Sequence, residues 1–217
     1  MDDGSKSPEM SMQMLVGCAG QGVTDLVLTP HFYPDEEYPD TFLKRRKKAV
    51  EELRAYAPQF RQQQNYYGPL PTLYLGAEVY YFPSMSCCED LPEFKITATD
   101  YLLVEPPMMH WTDAILDEIE QAGENFNFTP VIAHVDRYMT MLEDFTLFDR
   151  LRERRMLIQV NADFFLNPAA VKYALTMLQE GRIRFIGSDC HNLTSRPPKL
   201  GLAAEIITNA GLQVPEF

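Results

Sequence analysis

Short apolar runs separated by longer amphipathic segments recur along the whole chain, and this alternation restricts the fold more than any single motif. The apolar runs are VTDLVLTPH, TLYLGAEVYY, DYLLVEPP, TPVIAHVDRY, LIQVNADFF and RIRFIGSDCHN, which read as six buried strands. Between them the periodicity changes to that of helices. The first begins at Ser7-Pro8 by capping chemistry and runs to Gly22, and others cover Thr41–Gln64, Thr112–Ala122, Leu142–Arg154, Pro168–Glu180 and Leu200–Asn209. Continuous apolar strands alternating with helices require a parallel sheet buried on both faces, either doubly wound or closed into a barrel. No segment repeats closely and no low-complexity linker divides the chain, so one α/β domain over residues 1–217 is expected.

Composition removes several functions. Nineteen basic against thirty-one acidic residues leave a formal charge of -12, which opposes nonspecific attraction to nucleic acid or to anionic lipid. The basic run KRRKK, Lys44 to Lys48, falls in a helical stretch and reads as a solvated helix face. No apolar stretch approaches the roughly 18 residues of a membrane span. The opening MDDGSKSPEM is acidic where a signal peptide is basic and then apolar, so a cytoplasmic protein is expected. Cys18, Cys87, Cys88 and Cys190 form no disulfide framework and read as reduced, structural thiols.

The residues at the strand ends carry the chemistry. His31 comes after DLVLTP, Glu78 after LYLGA, Glu105 after YLLV, His134 after VIA, and Asp189 and His191 after RFIGS. The carboxyl ends of parallel strands lie at one face, where α/β folds build their sites, so these residues converge. A single histidine at a strand end is more often a satisfied core or cap residue, but three histidines and three carboxylates in one mouth are not explained that way. Crowded carboxylates need cations, and mixed imidazole and carboxylate donors suit borderline divalent metals, which points to a multinuclear Mn, Zn or Fe hydrolase site. Arg137 in HVDRY and Arg196 in NLTSRPP are placed to bind phosphate oxygens, with surface ion pairs as the plainer alternative.

Cys190 and Arg196 also bracket five residues, the spacing of a cysteine-phosphatase loop. Three observations oppose that mechanism. In an extended segment Asp189 and His191 face one way and Cys190 the other. HNLTS lacks the glycine expected where backbone amides wrap a phosphate. A cysteine nucleophile also leaves the other strand-end residues unexplained.

Taken in order, DDGSKS, TPHFYP, GAEVYY, VIAHVDRY and GSDCHNLTSRPP resemble the PHP-superfamily protein-tyrosine phosphatases of the CpsB/CapC type, encoded with bacterial capsule and exopolysaccharide genes. The resemblance covers nearly the whole chain. It implies a distorted seven-stranded TIM-like barrel, up to three divalent ions with manganese foremost, and dephosphorylation of a phosphotyrosine-containing partner, a bacterial tyrosine kinase. It further implies Asp3, His31, Glu78, Glu105, His134, Asp189 and His191 as metal ligands, with Arg137 and Arg196 near the phosphate. The family pattern opens with a strand bearing His-x-His just before DDG, whereas here Met1 precedes Asp2-Asp3. A barrel without its first strand is therefore expected, with fewer or weaker metal positions and exposed edges that favour rearrangement, domain swapping or a homo-oligomer. Two alternatives remain open: another PHP phosphoesterase, such as a histidinol-phosphate phosphatase, and a catalytically impaired form acting only as a binding or structural protein.

Overall fold

The computed structural model describes residues 4–215. Helix α1 (Pro8–Gly20) starts as its sequence requires: the Ser7 hydroxyl accepts the Met10 N–H at 3.2 Å and Pro8 occupies the first turn, where no intrahelical N–H bond is lost. It packs on α2 (Pro39–Gln64), which ends where Asn65 takes the left-handed conformation, φ 50°. Met12 and Leu15 of α1 meet Leu53 and Phe60 of α2 in a small separate core.

The strands are β1 (Asp25–Leu28), β2 (His31–Phe32), β3 (Thr72–Leu75), β4 (Glu78–Tyr80), β5 (Tyr101–Glu105), β6 (Thr129–Ile132), β7 (Leu157–Asn161) and β8 (Phe185–Gly187). All pairings are parallel. β1 pairs with β3, and the remainder form one sheet in the order β2-β4-β5-β6-β7-β8. This is a curled half-barrel of parallel strands. Six expected strands thus become eight segments, because the first two each break once. The first breaks at Thr29-Pro30, where proline has no N–H for a ladder, and the second at Gly76-Ala77. The bonds Gly76 N–H to Leu28 O (2.9 Å) and Glu78 N–H to Pro30 O (3.1 Å) carry the pairing across both breaks.

The helices on the sheet are α3 (Asp113–Phe126), α4 (Val135–Leu142), α5 (Leu147–Glu153), α6 (Ala162–Leu166), α7 (Val171–Gln179) and α8 (Leu200–Asn209). Thr112 caps α3 by accepting the Ile115 N–H, and its amphipathic face buries Leu116 and Ile119. The helix expected over Leu142–Arg154 is only the shorter α5, because Glu143 adopts φ 51° and separates it from α4, and VDRY, which reads as the end of a strand, is the start of α4. ADFF, which reads as the end of a strand, is the start of α6. The main core lies between sheet and helices and includes Phe32, Val104, Ile132, Val160, Leu116 and Phe148. Burying each such side chain contributes about 1.5–3 kcal/mol.

The basic run in α2 corrects the expectation of a wholly solvated face. Arg45 bonds the His31 carbonyl and the Glu37 carboxylate, while Arg46 donates to the carbonyls of Gly76 and Glu93. Both guanidiniums lie over the Phe42 ring. Lys44 and Lys48 keep the solvated character, in exposed i,i+4 pairs with Asp40 and Glu52. Amphipathic periodicity does not reveal which cations turn inward to bond strand-end carbonyls.

A candidate metal centre at the carboxyl ends of the strands

His31 and Glu78 are direct partners in the register of β2 and β4, and Glu105 ends the next strand, paired with Tyr80. One donor atom from each of His31, Glu78 and Glu105 lies within 4.8 Å of the others. His134 completes the group, its Nε2 2.6 Å from Glu78 Oε1, while His31 Nε2 stands 3.8 Å from the same oxygen. Glu78 and His134 are almost wholly buried. The His191 ring lies 5.6 Å from that of His31, centroid to centroid. Asp189 is joined to the cluster through Asn161, whose Nδ2 donates to Asp189 Oδ2 at 3.0 Å and whose Oδ1 lies 3.0 Å from His134 Nδ1. The six strand-end residues thus meet in one mouth. Asp3 lies outside the described residues.

The backbone at two of these residues is unusual. His134 and Asp189 both have φ 50°, in the left-handed region that non-glycine residues seldom occupy. At His134 this turns β6 directly into α4, placing Asp136 and Arg137 in the first helical turn. At Asp189 it replaces the extended geometry on which the expected alternation of Asp189, Cys190 and His191 depended, since β8 ends at Gly187. The Cys190 thiol nevertheless has its own company, in hydrogen bonds with Cys18 and Ser188. The interaction with Cys18, and then that with Ser188, outweighs burial and lowers its pKa below the usual thiol value. Such strain concentrates where surrounding contacts hold a functional group in place.

The two arginines flank one carboxylate. Arg137 Nη2 bonds Asp189 Oδ2 and Arg196 Nη2 bonds Asp189 Oδ1. Burial pushes the Asp189 carboxyl up, but His134 and the two guanidiniums prevail and hold it below the usual aspartate range. Glu105 moves the other way, raised first by burial and then by the negative charge of Glu78. Burial opposes a charged His134, yet its bond to Glu78 and the charges of Glu78 and Asp189 lift it to about 9.

Asp136, Gln159 and Asn161 do not stand out in the sequence, yet all three are buried against the site. Asp136 Oδ1 accepts the Asn161 N–H at 2.9 Å, and burial raises its carboxyl to about 6. The available signal is LIQVN, a strand otherwise apolar with two amides two residues apart and therefore on one face. Beside the mouth, a cavity of about 950 Å³ reaches from His31, Glu78 and His134 to β1, β8, α1 and α2.

The donors fit a divalent cation. Two facing carboxylates in a largely buried setting carry charge that the protein itself only partly neutralises, as the raised Glu105 reports, and their imidazole and carboxylate mixture suits borderline metals. The molecule is thus a parallel α/β half-barrel with a metal-type donor cluster at the carboxyl ends of its strands.

The family described as "Capsular polysaccharide synthesis, CpsB/CapC" matches residues 1–212, and the chain belongs to it. It is 30% identical to tyrosine-protein phosphatase CpsB of Streptococcus pneumoniae, over 95% of this chain and 85% of that protein. Tyrosine-protein phosphatase YwqE of Bacillus subtilis is 23% identical, over 90% of this chain and 75% of YwqE. Crystal structures of YwqE and CpsB, described as unique metal-dependent tyrosine phosphatases, include a chain that superposes with a TM-score of 0.76 at 20% identity. The match covers 96% of this chain and 82% of that one, and establishes the common fold.

Proposed function

We propose that this protein is a metal-dependent phosphotyrosine-protein phosphatase whose substrate is a tyrosine kinase of capsule or exopolysaccharide synthesis. The observation that carries this reading is the single mouth in which His31, Glu78, Glu105 and His134 lie beside a carboxylate, Asp189, gripped by Arg137 and Arg196. His31, Glu78, Glu105, His134, Asp189 and His191, joined by Asp3, would hold up to three divalent ions, Mn2+ foremost and Zn2+ or Fe as alternatives. A bound ion would polarise a phosphoryl oxygen and supply a water acidic enough to attack phosphorus at neutral pH.

The chain's own groups supply orientation. A guanidinium has five N–H donors, so Arg137 and Arg196 can hold Asp189 and still present donors to phosphate oxygens. Their side chains are 33% and 38% exposed, enough to face a substrate entering from solvent. Glu78, pinned between His31 and His134, cannot swing out of the mouth without losing contact with both.

The finer architecture consistent with this reading is the PHP barrel of seven strands, with one strand lying between β8 and β1. Supporting it, β8 and β1 are not paired with each other among the described residues, and the 950 Å³ cavity is lined by both.

The test is phosphate release from a phosphotyrosine peptide by the purified protein with Mn2+. Activity is expected to vanish with a chelator, return with Mn2+, and survive thiol alkylation. Release that ignores the chelator overturns the metal reading. Much faster cleavage of histidinol phosphate than of the peptide overturns the choice of substrate.

A further inference from the structure

The two amides on β7 form a closed circuit that begins and ends at His134. The circuit starts from a donor whose identity is fixed, the backbone N–H of His134, which lies 2.8 Å from Gln159 Oε1. Gln159 must therefore accept with that atom, and its Nε2 donates to Val160 O at 2.7 Å and to Asn161 Oδ1 at 3.2 Å. That contact identifies the oxygen of Asn161. The other end agrees, since Asn161 Nδ2 is 3.0 Å from Asp189 Oδ2, an ionised oxygen that only accepts. Turning the Asn161 amide over would set nitrogen against nitrogen at Gln159 and oxygen against oxygen at Asp189. Its Oδ1 is thus fixed at 3.0 Å from His134 Nδ1, and so Nδ1 must carry a proton.

We propose that Asn161 is the positioning residue of this site: it holds His134 with the proton on Nδ1, so that Nε2, which faces Glu78 Oε1 at 2.6 Å, is the nitrogen that exchanges this contact for a metal ion, and it ties Asp189 to the same amide. The proposal rests on the metal reading above. It explains why Asn161 is buried and doubly fixed, with its own backbone N–H held by Asp136 Oδ1 at 2.9 Å. It also accounts for Gly187 on the neighbouring strand. A Cβ there would come within 2.3 Å of Gln159 Nε2, an atom its two bonds do not allow to retreat. Backbone conformation does not require glycine at this position; room for the amide does.

Two variants approach the circuit from opposite ends. Asn161→Leu removes both amide contacts at nearly constant size, whereas Gly187→Ala leaves every polar group present and displaces the Gln159 amide. Each is compared with the parent by Zn2+ affinity, by long-range 15N–1H NMR of the histidine side chains in the Zn2+-loaded protein, and by melting temperature without metal. The parent is expected to show His134 protonated at Nδ1 with Nε2 bound to Zn2+. Asn161→Leu is expected to lose about 10- to 100-fold in Zn2+ affinity, the effect typical of removing a partner that orients a metal ligand, together with the Nδ1–H signature. Gly187→Ala is expected to move the same signals in the same direction. Parent His134 binding Zn2+ through Nδ1 overturns the proposal without any variant. So does an Asn161→Leu protein with parental affinity and spectrum, or, should that variant not fold, a Gly187→Ala protein with both. In these cases the metal reading stands. A parent that binds no divalent ion at all overturns both.

Discussion

The six-stranded sheet from β2 to β8 and the two-stranded ribbon of β1 and β3 are built from the same parallel strand-and-helix units, yet only the middle of the sheet is deeply buried, its edge strand β8 being half-buried throughout. β5 and β7 present nearly continuous buried positions and rest on the main core. β1 and β3 each begin exposed and are otherwise half-buried, backed by the small α1–α2 core and bordered by the 950 Å³ cavity. The site residues obey the same division, since every described donor sits on a strand of the sheet or in the turn directly after one. Donors fixed to within tenths of an ångström need rigid supports, and rigidity comes from close packing on all sides. The ribbon has no such surroundings.

Matched truncations test this contrast most severely. Phe148 in the main core and Phe60 in the small one are both buried aromatic side chains on helices. Phe148→Ala is expected to cost about 3–5 kcal/mol in denaturant unfolding, the usual range for a buried phenylalanine. Phe60→Ala should fall clearly below that, because a small core beside a cavity relaxes more easily. Equal losses would show that the ribbon is as tightly built as the sheet.

A smaller effect is expected where the two regions are tied together. Arg45 and Arg46 reach from α2 to the carbonyls of His31 and Gly76, at the breaks where ribbon passes into sheet. Arg46→Ala removes bonds to two carbonyls, each worth about 1.5–3 kcal/mol when the donor is charged, and is expected to lower stability measurably. Lys44→Ala in the same basic run should change it by less than about 0.5 kcal/mol, as exposed pairs do. Similar values for the two would mean that the arginine contacts do not join the regions.

The smallest effect belongs to the outer surface of the sheet region, where the exposed Asp113 meets Arg154 and Arg150. Hydrogen bonds from Arg154 and then Arg150 lower its carboxyl pKa against a small opposing effect of burial. A depressed acid stabilises the fold above its unfolded pKa of 3.8, and that contribution disappears as the pH falls through the lower folded value. Asp113→Asn should therefore lower the melting temperature slightly at neutral pH and not at all in strong acid. A difference that persists in acid would assign the effect to packing rather than charge.

Much of the site is legible because chemistry and periodicity agree: a histidine or carboxylate directly after an apolar run marks the carboxyl end of a parallel strand, wherever that strand sits in the sheet. His31, Glu78, Glu105, His134, Asp189 and His191 are all recognisable in this way. Gln159 and Asn161 are not, because the spacing in LIQVN puts the two amides on one face but their partners lie 25 to 28 residues away, where no local pattern names them. The two breaks carry local signals, Pro30 and Gly76 inside apolar runs, whereas the pairing that continues across them does not show in the sequence.

The sequence by itself determined the parallel α/β class, the family and the residues that crowd the mouth, because strand burial and strand-end chemistry are local properties repeated along the chain. Only the tertiary structure decided which nitrogen of His134 faces the carboxylates, that both arginines grip Asp189, and which cations of α2 turn inward. Those outcomes depend on directional hydrogen bonds between groups far apart in sequence, and such bonds acquire their geometry only when the strands are laid side by side.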